Sequence, residues 1–523
     1  MPTRNDPRCS NRGQGKPVMQ MLPPETKIAL RRRAAPASEV SLARADAAVF
    51  VIADADPAAA IARLPHARLW QALHRNVRRA SKTPLLVTRL PNARQTLAAV
   101  GFLRPGASSF ERLELAGKLM SEAVKPGVVA LQCHAMAFDA DESARVVEAL
   151  ASAALAAAAP MPQRKSRPTP PSDLRAIDAH GGRAADLERA AAIAAGNHLA
   201  RWLTTLPPNE LDCVAYRKTL QQLARREGWS CRFYDERALA RLGAGAFLAV
   251  TRANDHRGAG IVRLRYRPRG TRPARRIGLV GKGICFDTGG VNLKAHKGMY
   301  LMHGDMQGSA VAVGSLLALS RSQAALEVDC WLALTENQIG PRAYRPQEIV
   351  RAMNGVTIQV VHSDAEGRMV LADTLALAAR EKPALLLDYA TLTGACVNAI
   401  TDRYSGAFTN RHDLHEAVQA AGRASGERVW CFPMDADFDR ELESPVADVL
   451  QCAVEAKGDH ILAARFLSRF VPQDLAWVHF DLAASEHKGG LAHVPTEFTG
   501  FGVRYTAHLL GDPAFLAQAE RRA

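Results

Sequence analysis

From about Ala47 onward the chain alternates short apolar runs with stretches of helical period. Ala48-Val49-Phe50-Val51-Ile52 and Pro84-Leu85-Leu86-Val87-Thr88 read as strands, and Ser143 to Ala158 reads as an alanine-rich helix. The pattern breaks over Pro160-Met161-Pro162-Gln163-Arg164-Lys165-Ser166-Arg167-Pro168-Thr169-Pro170-Pro171, where proline and charge are too dense for a packed element. Ala184 to Thr205 then reads as one long helix of good helix formers, stopped by Pro207-Pro208. Beyond it Ile277-Gly278-Leu279-Val280 predicts a strand before a glycine-rich turn. Val311 to Leu319 follows as a helix, Val328 to Leu334 and Val356 to Val361 as strands, Met369 to Arg380 as a helix and Ala384 to Tyr389 as a buried strand. Apolar strands alternating with helices imply a mainly parallel sheet covered on both faces.

These breaks predict an α/β protein in four parts. Residues 1–45, rich in Pro, Arg and Ser and poor in aromatics, are expected to be a disordered basic tail. Residues 46–159 form a small N-terminal α/β domain, 160–205 a linker and bridging helix, and 206–523 a larger C-terminal α/β domain with a mainly parallel central sheet flanked by helices. A length of 523 residues fits more than one core. No repeat of solenoid period is visible.

Charge and cysteine usage narrow the surroundings. Lys+Arg 67 against Asp+Glu 52 gives a net charge of +15, which suits nucleic acid or a membrane surface. The surplus is scattered Arg, concentrated in the first forty-odd residues as in Arg31-Arg32-Arg33, and it lacks the interleaved aromatics of a nucleic-acid module. Nine Cys with no Cys-x-x-Cys pair point to a reducing, cytoplasmic setting. No window reaches the roughly eighteen apolar residues of a membrane span, and the richest, Ala384 to Ile400, carries Asp388. No secretory signal pattern precedes the first strand.

Candidate chemistry gathers in the C-terminal half. Asp364-Ala365-Glu366-Gly367-Arg368 sets two carboxylates and a guanidinium at every second residue; in an extended segment all three would share one side. Gly281-Lys282-Gly283-Ile284-Cys285-Phe286-Asp287-Thr288-Gly289-Gly290, Lys294 and Asp305-Met306 fall at strand ends or in the loops after them, where open α/β sheets keep their ligand sites. Singly they are weak signals, since an Asp before Gly-Gly is usually a turn. Together Asp287, Asp305, Asp364 and Glu366 supply four negative charges, which balance two divalent cations. Carboxylate oxygens favour Mn²⁺, Zn²⁺ or Mg²⁺ over soft metals.

Val280-Gly281-Lys282-Gly283, Phe286 to Gly290, Lys294, Asp305-Met306 and Ser363 to Arg368 resemble, in order and separation, the cytosolic leucine aminopeptidase family. Asp388-Tyr389-Ala390-Thr391-Leu392-Thr393-Gly394-Ala395 and Trp477-Val478-His479-Phe480-Asp481-Leu482-Ala483 extend the likeness over roughly Asn197 to Leu509. The resemblance implies a dinuclear aminopeptidase that releases N-terminal residues, Leu-like or otherwise apolar. It implies two divalent ions, Mn²⁺ or Zn²⁺. Lys282, Asp287, Asp305 and Glu366 would hold one, and Asp287, Asp364 and Glu366 the other, with Lys282 neutral only when metal is bound. It further implies that Lys294 polarises the scissile carbonyl, that Arg368 holds a bicarbonate that shuttles protons, and that six copies assemble around a central cavity. His303, Gln307 and His362 depart from the family's common residues beside these ligands, and no role is assigned to them. A DNA-binding or regulatory protein on the same scaffold is the alternative, with the basic surplus as its footprint.

Overall fold

The computed structural model of the protein describes residues 21–25, 27–77, 85–255, 257–268, 270, 275–455 and 457–521. Among them the strands form three sheets. The first holds β1 (Ala29–Arg33), β2 (Ala47–Ala53), β3 (Leu86–Arg89), β4 (Leu97–Leu103), β5 (Ala130–Met136) and β6 (Ala176–His180), in the order β1-β6-β5-β2-β4-β3. All its pairs are parallel except β3 on β4. β2 is buried at every position, as a strand with helices over both faces must be.

The C-terminal half is built on β7 (Ser230–Asp235), β8 (Gly260–Tyr266), β9 (Arg276–Asp287) and β10 (Glu327–Asn337). It continues through β11 (Ile349–Arg351), β12 (Thr357–Gln359), β13 (Leu385–Ala390), β14 (Ser405–Thr409), β15 (Val429–Cys431), β16 (Val449–Leu450) and β17 (Ala476–Asp481). Its main sheet has the order β15-β14-β17-β13-β9-β10-β8-β7, and β17, β13, β9 and β10 run parallel at its centre. The small third sheet is β11-β12-β16. The α/β class with mainly parallel sheets therefore holds.

Several boundaries differ from expectation. Residues 1–20 of the expected tail lie outside the described residues, as does Pro84 of the predicted strand. Ala29–Arg33, also placed in that tail, pairs in register with Ala176–His180. Those latter residues, placed in the linker, pair in turn with β5. β1 is almost wholly exposed and shows no alternation, and β6 alternates over only five residues, so pairing rather than pattern fixes them. Val356–Val361 yields only the short β12, outside the main sheet.

The expected glycine-rich turn after Val280 is instead the middle of β9. A Cβ on Gly281 would lie 2.5 Å from Ser309 Cα, so the glycine lets the Gln307–Arg321 helix rest on the strand. That helix packs equally closely on the Ala184–Thr205 helix, where a Cβ on Gly196 would lie 2.2 Å from the Gly314 carbonyl oxygen. The two halves are joined by Arg504, whose Nη1 and Nη2 donate to Glu148 Oε1 and Oε2 at 2.7 and 2.8 Å. Part of the Arg content is paired inside the fold: Arg263 and Arg265 both donate to Asp329 and to Glu381 on one face of the main sheet.

Candidate metal centre

The carboxyl ends of β9, β13 and β17 open into a cleft of about 260 Å³. Lys282 enters it from mid-β9 and Asp287 from the last residue of that strand. Lys294 comes from the following loop. Asp305 sits between the short Met302–Gly304 turn and the Gln307–Arg321 helix. Asp364 precedes the Glu366–Ala379 helix and Glu366 opens it, so the pair is brought together by a helix start rather than by the extended segment that the spacing suggested. The fold thus gathers into one cleft six of the seven residues singled out from the sequence.

Lys282 Nζ lies 2.8 Å from Asp305 Oδ1 and 3.0 Å from Glu366 Oε1, and donates to the Thr391 carbonyl at 3.0 Å. Lys294 Nζ lies 2.9 Å from Asp287 Oδ2 and 2.5 Å from Asp364 Oδ1. One carboxylate oxygen from each of Asp287, Asp364 and Glu366 lies within 4.8 Å of the others. Four carboxylates face two ammonium groups, an excess of two negative charges in a buried place. Lys282, Asp287, Asp305 and Glu366 are all buried.

The electrostatics register that crowding. Burial pushes the Asp305 carboxyl up to about 6, with the Glu366 charge adding to it against the pull of Lys282. Burial and the neighbouring Glu366 and Asp305 carboxylates raise Asp287 far above the usual range. Burial would lower the Lys282 ammonium, yet Asp305, Glu366 and Asp287 outweigh it and raise it, so without metal the group is protonated. Lys294 is raised in the same way, chiefly by Asp287 once burial is overcome.

This donor set fits divalent cations. Its oxygens converge, their charge is uncompensated, and Asp305 Oδ2 is buried with no hydrogen-bond partner among the described residues.

Residues that the sequence did not single out hold the cluster in place. Asn337, at the end of β10, donates from Nδ2 to Asp287 Oδ1 at 2.8 Å, to the Ser363 carbonyl at 3.0 Å and to Glu366 Oε2 at 3.3 Å. Thr391 Oγ1 donates to Asp305 Oδ1 at 2.7 Å, and Tyr344 Oη to the Ser363 carbonyl at 2.7 Å. Asn337 ends a predictable strand beside β9, which was the available clue; Tyr344 lies in a loop and carried none. His303 packs edge-on against Phe498 and does not line the cleft, whereas Gln307 does.

Arg368 stands apart. As the third residue of the Glu366–Ala379 helix it turns away from the cleft and is fully buried. Its Nη1 and Nη2 donate to Asp459 Oδ1 and Oδ2 at 3.0 and 2.7 Å, and Nη1 also reaches the Gln451 carbonyl at 3.3 Å. The guanidinium expected to hold bicarbonate is therefore already engaged by a carboxylate of the chain, and these residues do not fit a bound bicarbonate.

Comparison with known proteins places this geometry. Residues 198–507 match the model of the cytosol aminopeptidase family, catalytic domain. A probable cytosol aminopeptidase of Parasynechococcus marenigrum is 36% identical over 440 residues, covering 82% of this chain and 89% of the relative. One of Afipia carboxidovorans is 37% identical over 324 residues, 62% of this chain, which spans 64% of that relative's length. Among solved structures, a tomato leucine aminopeptidase variant aligns with a TM-score of 0.81 at 25% identity, covering 94% of this chain and 98% of that one. The bottromycin maturation enzyme BotP in complex with Mn aligns with a TM-score of 0.77 at 30% identity, covering 91% of this chain and all of the other (100%). The cleft described above lies inside the matched region.

Proposed function

The chain belongs to the cytosol aminopeptidase family, whose members are metal-dependent aminopeptidases, and from that premise we propose that the β9–β13–β17 cleft hydrolyses the first peptide bond of short peptides. The observation that carries this reading is the buried excess of carboxylate around Lys282 and Lys294. Lys282, Asp287, Asp305 and Glu366 would hold one divalent ion, Mn²⁺ or Zn²⁺, and Asp287, Asp364 and Glu366 a second. Bound there, such ions supply an acidified water as nucleophile and polarise the substrate carbonyl.

The chain's own groups do the rest. Lys294 keeps its ammonium beside Asp287 and Asp364 at the cleft, where it can donate to the carbonyl oxygen as negative charge develops on it. Asn337 fixes the Asp287 and Glu366 carboxylates against rotation. The ions would also take a substrate's free α-amine, which would restrict the reaction to a free N-terminus. Leu301, Met302, Leu392, Val397 and Leu482 give one wall of the cleft an apolar character suited to a Leu-like side chain. A cytoplasmic homohexamer is the corresponding proposal for location and assembly, supported by the family likeness alone.

No helix among the described residues is long and apolar enough to cross a membrane. The nucleic-acid alternative finds no support in the comparisons.

Metal-stripped protein reloaded with Mn²⁺ or Zn²⁺ and assayed on leucine amide and a panel of N-terminal residues tests the reading. Two ions per chain with metal-dependent release of the N-terminal residue are expected. Hydrolysis that survives complete metal removal would overturn it.

A further inference from the structure

We propose that Asp459 is a built-in replacement for the soluble anion at Arg368, so that this enzyme works without bicarbonate. The inference rests on the aminopeptidase reading for its consequence but on independent geometry for its site. Gly458, in the left-handed conformation, turns the chain so that Asp459 opens the Asp459–Ser468 helix, where a carboxylate also suits the helix dipole. From there its two oxygens meet the Nη1–Nη2 edge of Arg368 side by side, at 3.0 and 2.7 Å, the bidentate geometry that matches a planar acid to a guanidinium. Bicarbonate would use the same edge in the same way.

Occupancy favours the residue over the solute. Arg368 is only 2% exposed and Asp459 is 23% exposed in its side chain, so the pair is screened little by water. A tethered carboxylate competes as an intramolecular ligand, at an effective concentration that a dissolved anion in the millimolar range does not match. Displacing Asp459 would strand its charge beside the incoming one, and like charges in a partly buried site repel. The donor that remains is Nε of Arg368, buried with no partner among the described residues; it offers an anion one bond instead of a paired edge. Pairing also neutralises a guanidinium two residues from Glu366, leaving that carboxylate free to face Lys282 and the cleft. Asp459 is on this account a positioning residue, acting on the centre through Arg368.

The test uses the metal-loaded full chain in carbon-dioxide-free buffer, with bicarbonate titrated over the millimolar range. Wild-type turnover of leucine amide is expected to change by less than about twofold. Asp459→Ala is expected to lose about tenfold and to regain it on adding bicarbonate, while Asp459→Glu stays indifferent to the anion. Calorimetry with bicarbonate on metal-free protein gives a second readout independent of activity: no binding to wild type, binding to Asp459→Ala. Stimulation of wild type by about tenfold, or equal bicarbonate binding by wild type and Asp459→Ala, overturns the proposal. Should Asp459→Ala not fold, the wild-type titration and calorimetry still decide. A protein that hydrolyses nothing would sink the aminopeptidase reading, while calorimetry would still report on Asp459.

Discussion

The two large sheets share an architecture but treat buried polarity in opposite ways. In the N-terminal sheet the groups near the carboxyl ends of the parallel strands are aromatic rings and an amide, not crowded carboxylates, though His180 Nε2 is buried with no hydrogen-bond partner among the described residues. His134 stacks on Phe50 at 4.7 Å and meets the tilted ring of His180 at 4.1 Å, its Nε2 meets Gln132 Oε1 at 3.2 Å, and His180 Nδ1 meets the Ala35 carbonyl at 2.6 Å. In the C-terminal sheet the corresponding ends carry four carboxylates around two lysines, with Asp287 and Asp305 forced toward protonation. A fold holds like charges together at such cost only where something else compensates, which is why perturbed carboxylates cluster at functional sites. The N-terminal sheet shows that a parallel sheet with helices on both faces does not by itself make a site.

Removing one of the crowded carboxylates breaks the contrast most completely. Glu366→Gln should lower hydrolysis of leucine amide by more than about a hundredfold, because even outer partners of metal ligands cost that much, and should reduce bound metal below two ions per chain. Kinetics and elemental analysis on the same sample check both. Full activity with full metal would remove Glu366 from the centre.

Lys294→Ala should act more narrowly. Loss of one group that stabilises developing charge lowers turnover by about a hundredfold, with bound metal unchanged. Loss of metal instead would make Lys294 part of the cage that holds the ions.

Glu148→Gln tests the seam between the two sheets rather than either one. Burial alone would push the Glu148 carboxyl up; the Arg504 guanidinium outweighs it and brings it down to about 2 from an ordinary 4.5. A depressed folded value means that the pair's contribution is complete above pH 4.5 and is lost as pH falls toward 2. That contribution is about 3 kcal/mol. Denaturant unfolding should therefore show the variant less stable by about that much at neutral pH, with a flatter acid limb. Identical acid limbs in variant and wild type would remove Glu148 from the linkage.

Legibility in the sequence followed the same divide. Strands β2, β10 and β13 were readable because burial on both faces makes their runs continuously apolar. β1 and β6 were not, since β1 lacks alternation, β6 alternates over only five residues, and their partners are distant in the chain. Six site residues were readable from block order, and the fold brings them into one cleft. The direction of Arg368 was not, because a period of two assumes an extended chain and the helix begins at Glu366. The roles of Asn337, Thr391 and Asp459 escaped notice for a common reason. Each acts through a partner far off in sequence, and nothing local marks an Asn, Thr or Asp as the one that will meet it.

His134→Leu is the complementary probe on the N-terminal side, where activity should not move at all. Burial, with the neighbouring His180, holds the His134 ring far below its ordinary protonation range, so the folded protein keeps it neutral while the unfolded chain takes up a proton below pH 6.5. Stability from this residue is thus complete above pH 6.5 and declines as pH falls below it. Leu has no proton to gain, so the variant should lose less stability than wild type between neutral and mildly acid pH, while its neutral stability falls by about 1 kcal/mol for the lost stacking. Equilibrium unfolding across that range, with a leucine amide assay beside it, reads both quantities. A large fall in turnover in a folded His134→Leu would show that the first sheet reaches the chemistry after all, and the contrast between the two halves would have to be redrawn.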